Sequence, residues 1–173
     1  MPAKHDALRH VFLTGEIQVG KSTAIRRFLA ETGLPADGFI SRVIPANGRR
    51  ELYLSRFDTR SGMRERRLAA TVGHSGARAF LDVFDGYGAE AISSSGIHGL
   101  VIIDELGTLE EGAQLFKAAV HEKLDGPGRV LGVIKKTQSA FLDSIRKRAD
   151  IEIITVTPNN RDNLPAALRE MLA

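Results

Sequence analysis

At 173 residues the chain is sized for one domain, large enough to bury a core without disulfide or metal staples. Cysteine is absent, which excludes disulfides, thiolate metal sites and thiol nucleophiles and fits a reducing compartment. A net charge of +3 helps attract a polyanion without demanding nucleic acid, Met1–His10 lacks the apolar core of a secretory signal, and no apolar run approaches the roughly 20 residues of a membrane helix, so a cytoplasmic protein with no membrane partner is expected.

The first strand is predicted over Ala7–Leu13 and a helix over Lys21–Thr32, stopped by Gly33 and Pro35. Between them lies Gly15-Glu16-Ile17-Gln18-Val19-Gly20-Lys21-Ser22-Thr23, in which G-x-x-x-x-G-K-S has the spacing of a phosphate-cradling loop. Such a loop curls its backbone N–H groups onto an anion, and the helix N-terminus adds the positive end of its dipole. In that reading Lys21 reaches the β- and γ-phosphates and the Ser22 hydroxyl holds Mg²⁺.

From Gly38 to Ala70 the pattern changes to alternation, with strands predicted over Phe39–Ile44, Leu52–Phe57 and Met63–Leu68. Asn47-Gly48 marks a hairpin turn between the first two, and Ser61-Gly62 marks the second turn. Seven arginines fall between Arg49 and Arg67 against three acids, without the aromatic ladder of a single-strand binder. This reads as a solvated strand face, with one or two arginines allowed at a phosphate, and nucleic acid is not the expected partner.

Phe80, Val83, Phe84, Tyr87 and Ala91 fall at helical spacing, so a helix is predicted over about 75–94 with its aromatic stripe in the core. Next comes Val101-Ile102-Ile103 followed by Asp104-Glu105: a strand apolar on both faces, as in a helix-covered parallel sheet, ending in two carboxylates. The C-terminal tips of such strands face the crevice where α/β sheets bind ligands. Asp104 suits Mg²⁺ beside Ser22, and Glu105 suits orienting or deprotonating a water that attacks the γ-phosphate. The five histidines, His5, His10, His74, His98 and His121, show no ligand spacing.

Leu109, Ala113, Phe116, Val120 and Leu124 mark a further helix closed by Gly126-Pro127-Gly128. Arg129–Ile134 is a strand running into Lys135-Lys136, Phe141 to Ala149 outlines a short helix, and Ile151–Val156 is the last strand. Leu164 to Leu172 forms the terminal helix, with Asn163 at its cap and Pro165 in its first turn. The repeated strand–helix order predicts an α/β fold: a P-loop, three-layer arrangement with a mainly parallel central sheet and an antiparallel excursion at about 38–70, in one domain spanning 1–173.

The sequence resembles the small nucleoside-triphosphatase family known as cancer-related nucleoside triphosphatase. The likeness runs through the loop Gly15–Thr23, Gly38-Phe39, Ser61-Gly62, Leu68-Ala69, the block Val101–Glu110, Val156-Thr157 and Asn160-Arg161-Asp162. It implies Mg²⁺-dependent hydrolysis of several nucleoside triphosphates, ATP and GTP among them, to diphosphate and phosphate. It also implies a glutamate after the Mg²⁺-linked aspartate. The loop interior Glu16-Ile17-Gln18-Val19 departs from the family's Pro-Gly-rich segment, and Ile40-Ser41-Arg42-Val43 departs from its Thr- and Glu-bearing pattern.

Phosphoryl transfer also calls for a cation at the transferred group. Arg161 is the candidate, with Lys135, Lys136 or a partner's arginine as alternatives; a helix-end salt bridge accounts for Arg161 equally well. Glu110 either belongs to the site block or complements a helix dipole. Two other functions fit the same motifs. In a small-molecule or nucleoside kinase Glu105 would activate an acceptor hydroxyl, and in a nucleotide-dependent switch binding would change shape with little turnover. Oligomeric state is not set by the sequence.

Overall fold

The computed structural model describes residues 8–96 and 99–172. The predicted strand start at Ala7, most of the Met1–His10 stretch, and His5 and His98 lie outside the described residues.

Among the described residues eight strands join one mixed sheet. They are β1 (His10–Thr14), β2 (Ala36–Ala46), β3 (Arg49–Asp58), β4 (Gly62–Gly73), β5 (Gly76–Ala79), β6 (Leu100–Leu106), β7 (Arg129–Ile134) and β8 (Ile151–Thr155). Their order across the sheet is β5-β4-β3-β2-β6-β7-β1-β8. The half β2-β6-β7-β1-β8 is parallel, whereas β2 to β5 form an antiparallel wing. β2 belongs to both halves, since Ala36–Ile40 pairs with β6 on one side and the whole strand pairs with β3 on the other.

The helices are α1 (Lys21–Thr32), α2 (Leu81–Val83), α3 (Ala89–Ser93), α4 (Gln114–Asp125), α5 (Ala140–Arg146) and α6 (Leu164–Leu172). Strand alternation sends side chains to two separate cores. Val101 and Ile103 of β6 join Phe84, Ile92, Phe116, Val120 and Ile145 under α3, α4 and α5. Leu100 and Ile102 join Val11, Leu13, Ile25, Phe28 and Leu168 under α1 and α6. Helices therefore cover both faces of the parallel half, which is why its strands read as unbroken apolar runs.

Several local expectations hold to the residue. Helix α1 occupies Lys21–Thr32 and ends on Gly33 at φ 64°, whose N–H donates to Leu29 O at 3.0 Å. Asn47 and Gly48 both take positive φ, 47° and 76°, and join β2 to β3 in the mirror-image turn that matches strand twist. Helix α6 starts at Leu164, with Pro165 inside its first turn.

Three expectations are corrected. Residues 75–94 are not one helix: Gly76–Ala79 is strand β5, antiparallel to Ala70–Gly73, and the helical run starts at Leu81. Within that run Phe84–Gly88 is π-helical, and a Cβ on Gly88 would lie 2.9 Å from the Phe116 ring. The excursion accordingly has β5 as an additional strand, which its short glycine-bounded sequence hid among helical periodicity. Finally, Leu109 lies in the loop before α4, because the β6–α4 connection winds back over the strand tip before the helix begins at Gln114.

His10 is fully buried and ties two elements together: its Nε2 lies 3.0 Å from Leu124 O, and its Nδ1 accepts from Val130 N at 3.1 Å. Burial holds its pKa below the ordinary 6.5 despite Asp150 Oδ2 at 3.7 Å, with Arg9 and Arg148 also opposing a charge. The native state thus favours neutral imidazole. This contribution is whole above the unfolded value and is lost as pH falls from 6.5 through the lowered native value. Denaturant midpoints measured from pH about 7.5 to about 5.5 should therefore fall more steeply for the wild type than for His10→Gln. Gly38 offers a second test: at φ 138° a Cβ would lie 2.1 Å from Ile102 O. Gly38→Ala should cost about 3 kcal/mol in chemical unfolding.

Candidate active site

The loop between β1 and α1 is fixed by close backbone packing. Gly15, at φ 141°, lies so near β8's end that a Cβ would meet Val156 O at 2.6 Å. Val156 N in turn donates to Thr14 O at 2.7 Å. Val19 anchors the loop in the α1–α6 core, while Ile17 at the crest is 85% exposed. Gln18 adopts φ 61°, the left-handed region that glycine enters freely, so the polar interior departs from a glycine-rich loop in sequence while keeping a glycine-like bend. Gly20 at φ 114° leads directly into α1.

The Lys21 ammonium folds back over this loop, donating to Gly15 O at 3.0 Å and Glu16 O at 2.7 Å. One turn of chemistry later, the Ser22 hydroxyl bonds the carboxylate of Asp104, which is buried at the tip of β6. Burial pushes the Asp104 carboxyl up to about 6; the Ser22 bond and the Lys21 and Arg26 charges oppose this, and Glu105 reinforces it. A hydroxyl at the start of α1 beside a carboxylate is a donor pair suited to a hard divalent cation that keeps water and phosphate oxygens as its other ligands.

A cleft of about 680 Å³ lies over the loop, lined by residues 15–18 and 20–23 and by Glu105, Lys135, Lys136 and Thr137. Glu105 is partly exposed to it, with Oε1 3.3 Å from Lys135 Nζ, and its backbone N–H donates to Ser41 Oγ at 3.1 Å. Lys136 pairs with Glu16 of the loop. The lysine pair is positioned from behind: Arg146 donates to Lys135 O and, at 3.0 Å, to Thr137 O, while Asp143 braces the guanidinium at 2.9 Å.

Arg161 is placed elsewhere. Its Cδ lies 3.6 Å from where a Cβ on Gly20 would stand, so it covers the outside of the loop, and it does not line the cleft. Its neighbour Asp162 pairs with Arg27 at 3.7 Å. The cations on the cleft wall besides Lys21 are Lys135 and Lys136, named above as alternatives. The arginines of the wing are largely engaged locally: Arg49 with Glu51, Arg56 with Glu90, Arg60 with Asp58, Arg67 with Glu65, and Arg66 over the Tyr53 ring.

One contributor, Ser41, was not legible as a site residue, and for Glu110, read above in two ways, the structure supports neither a helix start nor a place on the cleft wall. Ser41 sits one strand away from Glu105 and reaches it only through the β2–β6 pairing. Glu110 is buried rather than at a helix start: its carboxylate accepts from Gly107 N, and burial raises its pKa to about 7. Gly107 in turn lets the Lys135 stem pass 3.0 Å from its would-be Cβ. The second glutamate of the Asp104–Glu110 block was the available signal for this strut.

Comparison with known proteins agrees with this geometry. A family model described as NTPase matches residues 10–168. The chain is 34% identical to the mouse cancer-related nucleoside-triphosphatase homolog, over 90% of this chain and 92% of that one. Among solved structures it resembles the solution structure of a human cancer-related nucleoside triphosphatase, with TM-score 0.72, 29% identity, and 94% and 96% of the two chains covered. It shares the fold of THEP1 from Aquifex aeolicus, with TM-score 0.74 at 20% identity over 94% and 98% of the chains. A match along nearly the whole length, joined to a relative above one-third identity, makes this chain a member of the NTPase family.

Proposed function

We propose that this chain is a single P-loop nucleotide-binding domain that hydrolyses nucleoside triphosphates of the ATP and GTP type to diphosphate and phosphate, using Mg²⁺. The observation that carries the reading is the meeting of Lys21 and Ser22 of the loop with Glu105 on one cleft, Asp104 standing next to that cleft in hydrogen-bond contact with Ser22. The similar mouse and human proteins are nucleoside-triphosphatases, which agrees with it.

Phosphoryl transfer needs little covalent help from a protein, so positioning and charge stabilisation do most of the work. The loop amides and the Lys21 ammonium take the β- and γ-phosphates, with the phosphate oxygens replacing the carbonyls that now hold Lys21. Ser22 and Asp104 would hold Mg²⁺, which when bound supplies charge neutralisation across the β- and γ-oxygens. Glu105 orients a water for in-line attack on the γ-phosphorus and accepts its proton as the bond to the bridging β-oxygen breaks. Lys135, 3.3 Å from Glu105 Oε1, holds that carboxylate in position on the cleft wall. Lys136 and Lys135 supply cations on the cleft wall, and Arg161 secures the loop from outside.

Phosphate release from ATP or GTP in the presence of Mg²⁺, with no acceptor added, is the decisive measurement. Release that begins only when a hydroxyl-bearing acceptor is supplied would replace hydrolysis by phosphotransfer. Lys21→Ala is expected to lower turnover on the order of 100-fold or more, with weaker nucleotide binding. Glu105→Gln should retain binding yet turn over about 100-fold more slowly, as removal of a proton acceptor requires. Chelation with EDTA should abolish release, and Ser22→Ala should raise the Mg²⁺ concentration needed to restore it.

A further inference from the structure

On the other side of Ser22 and Asp104 a second cavity, of about 300 Å³, opens between α1 and the strands β2 and β3. It differs in character from the phosphate cleft. Leu29 of α1 and Phe57 of β3 make apolar walls, and Met63, 46% exposed, stands at the mouth. Arg26 and Arg42 rim it, while the buried Asp104 lies at its inner end with Ser22 beside it.

The two arginines decide what it fits. Arg26 spends its Nε on Ser22 O and one terminal nitrogen on Thr23 Oγ1, both at 3.3 Å, leaving other donors free. Among the described residues neither Arg26 nor Arg42 belongs to an ion pair. Four other arginines of the wing, Arg49, Arg56, Arg60 and Arg67, have carboxylate partners, and what sets Arg26 and Arg42 apart from the rest is that both stand unpaired on one apolar pocket. A bare anion would leave the apolar walls wet, and a neutral hydrocarbon would leave the guanidinium groups unmatched. A concave apolar wall with a few convergent polar groups is the ordinary construction of a small-molecule site.

We propose that this cavity binds a small amphiphilic anion, an aromatic body carrying a carboxylate, sulfonate or phosphate head, as a second ligand distinct from the nucleoside triphosphate. The body lies against Leu29 and Phe57, and the head meets Arg26 and Arg42. Because the inner end is Ser22 and Asp104, an occupant touches the pair that holds the cation and changes the rate of phosphate release; this coupling rests on the function proposed above, whereas binding does not.

The probe is anilinonaphthalenesulfonate, followed by its fluorescence on the full chain without nucleotide. Phenylnaphthylamine, a neutral counterpart, serves as control. Saturable binding at one probe per chain is expected, roughly tenfold weaker in Arg42→Glu. Met63→Trp, which narrows the mouth at an exposed position, should weaken binding too. Both substitutions are at surface positions, so circular dichroism should show an unchanged fold. Lys21→Ala should retain the probe while losing phosphate release, which separates the pocket from the hydrolytic site. Equal binding of the neutral compound with no effect of Arg42→Glu would overturn the anion site, and absence of saturable binding would overturn the pocket. Arg42-dependent binding in a chain that releases no phosphate would sink the hydrolase reading and leave the pocket standing. Bound probe that leaves wild-type phosphate release unchanged would overturn the coupling.

Discussion

The site depends on one strand pairing: Val133 of β7 lies in register with Leu13 of β1 on one side and with Asp104 of β6 on the other. That register sets the tips of three parallel strands level, so the loop after β1 and the carboxylates ending β6 stand two strand spacings apart, about 10 Å. β7 ends between them and hands its own continuation, Lys135-Lys136, to the wall of the cleft. The register is held by packing as much as by hydrogen bonds. Gly132, paired with both Phe12 and Ile103, has no room for a Cβ, which would fall 2.3 Å from the Phe12 ring.

Around this geometry the charges are arranged as a closed set awaiting a polyanion. Lys21 is satisfied by loop carbonyls, Lys135 by Glu105 and Lys136 by Glu16. Each partner is exchangeable for a phosphate oxygen, so these half-exposed lysines are already paired within the fold. Asp104 is the exception: it is buried, its nearest partner is a hydroxyl, and its proton affinity is raised accordingly. A carboxylate in that position gains most from a bound cation.

Much of this was legible from the chain alone because the signals were local. The loop spacing, the limits of α1, the Asn47-Gly48 turn and the buried strand ending in Asp104-Glu105 each depend on residues within one turn or one strand. What escaped was set by contacts distant in sequence. β5 is too short to outvote the helical periodicity that follows it, and only its pairing with β4 makes it a strand. Ser41 meets Glu105 across a sheet, with no motif to announce it. Arg161 shares a conspicuous motif with the loop's end of the sheet, yet side-chain direction, which spacing does not encode, sends it over Gly20 rather than into the cleft.

The pairing of β1 also bears on the order in which the molecule is made. β1 hydrogen-bonds only to β7 and β8, which are translated more than a hundred residues after it. By contrast the hairpins of the wing join neighbours in the chain and close as soon as they emerge. On the ribosome, then, the first strand waits unpaired while the wing assembles, and the loop Gly15–Thr23 that it carries packs against Val156 only once the last strand has been made.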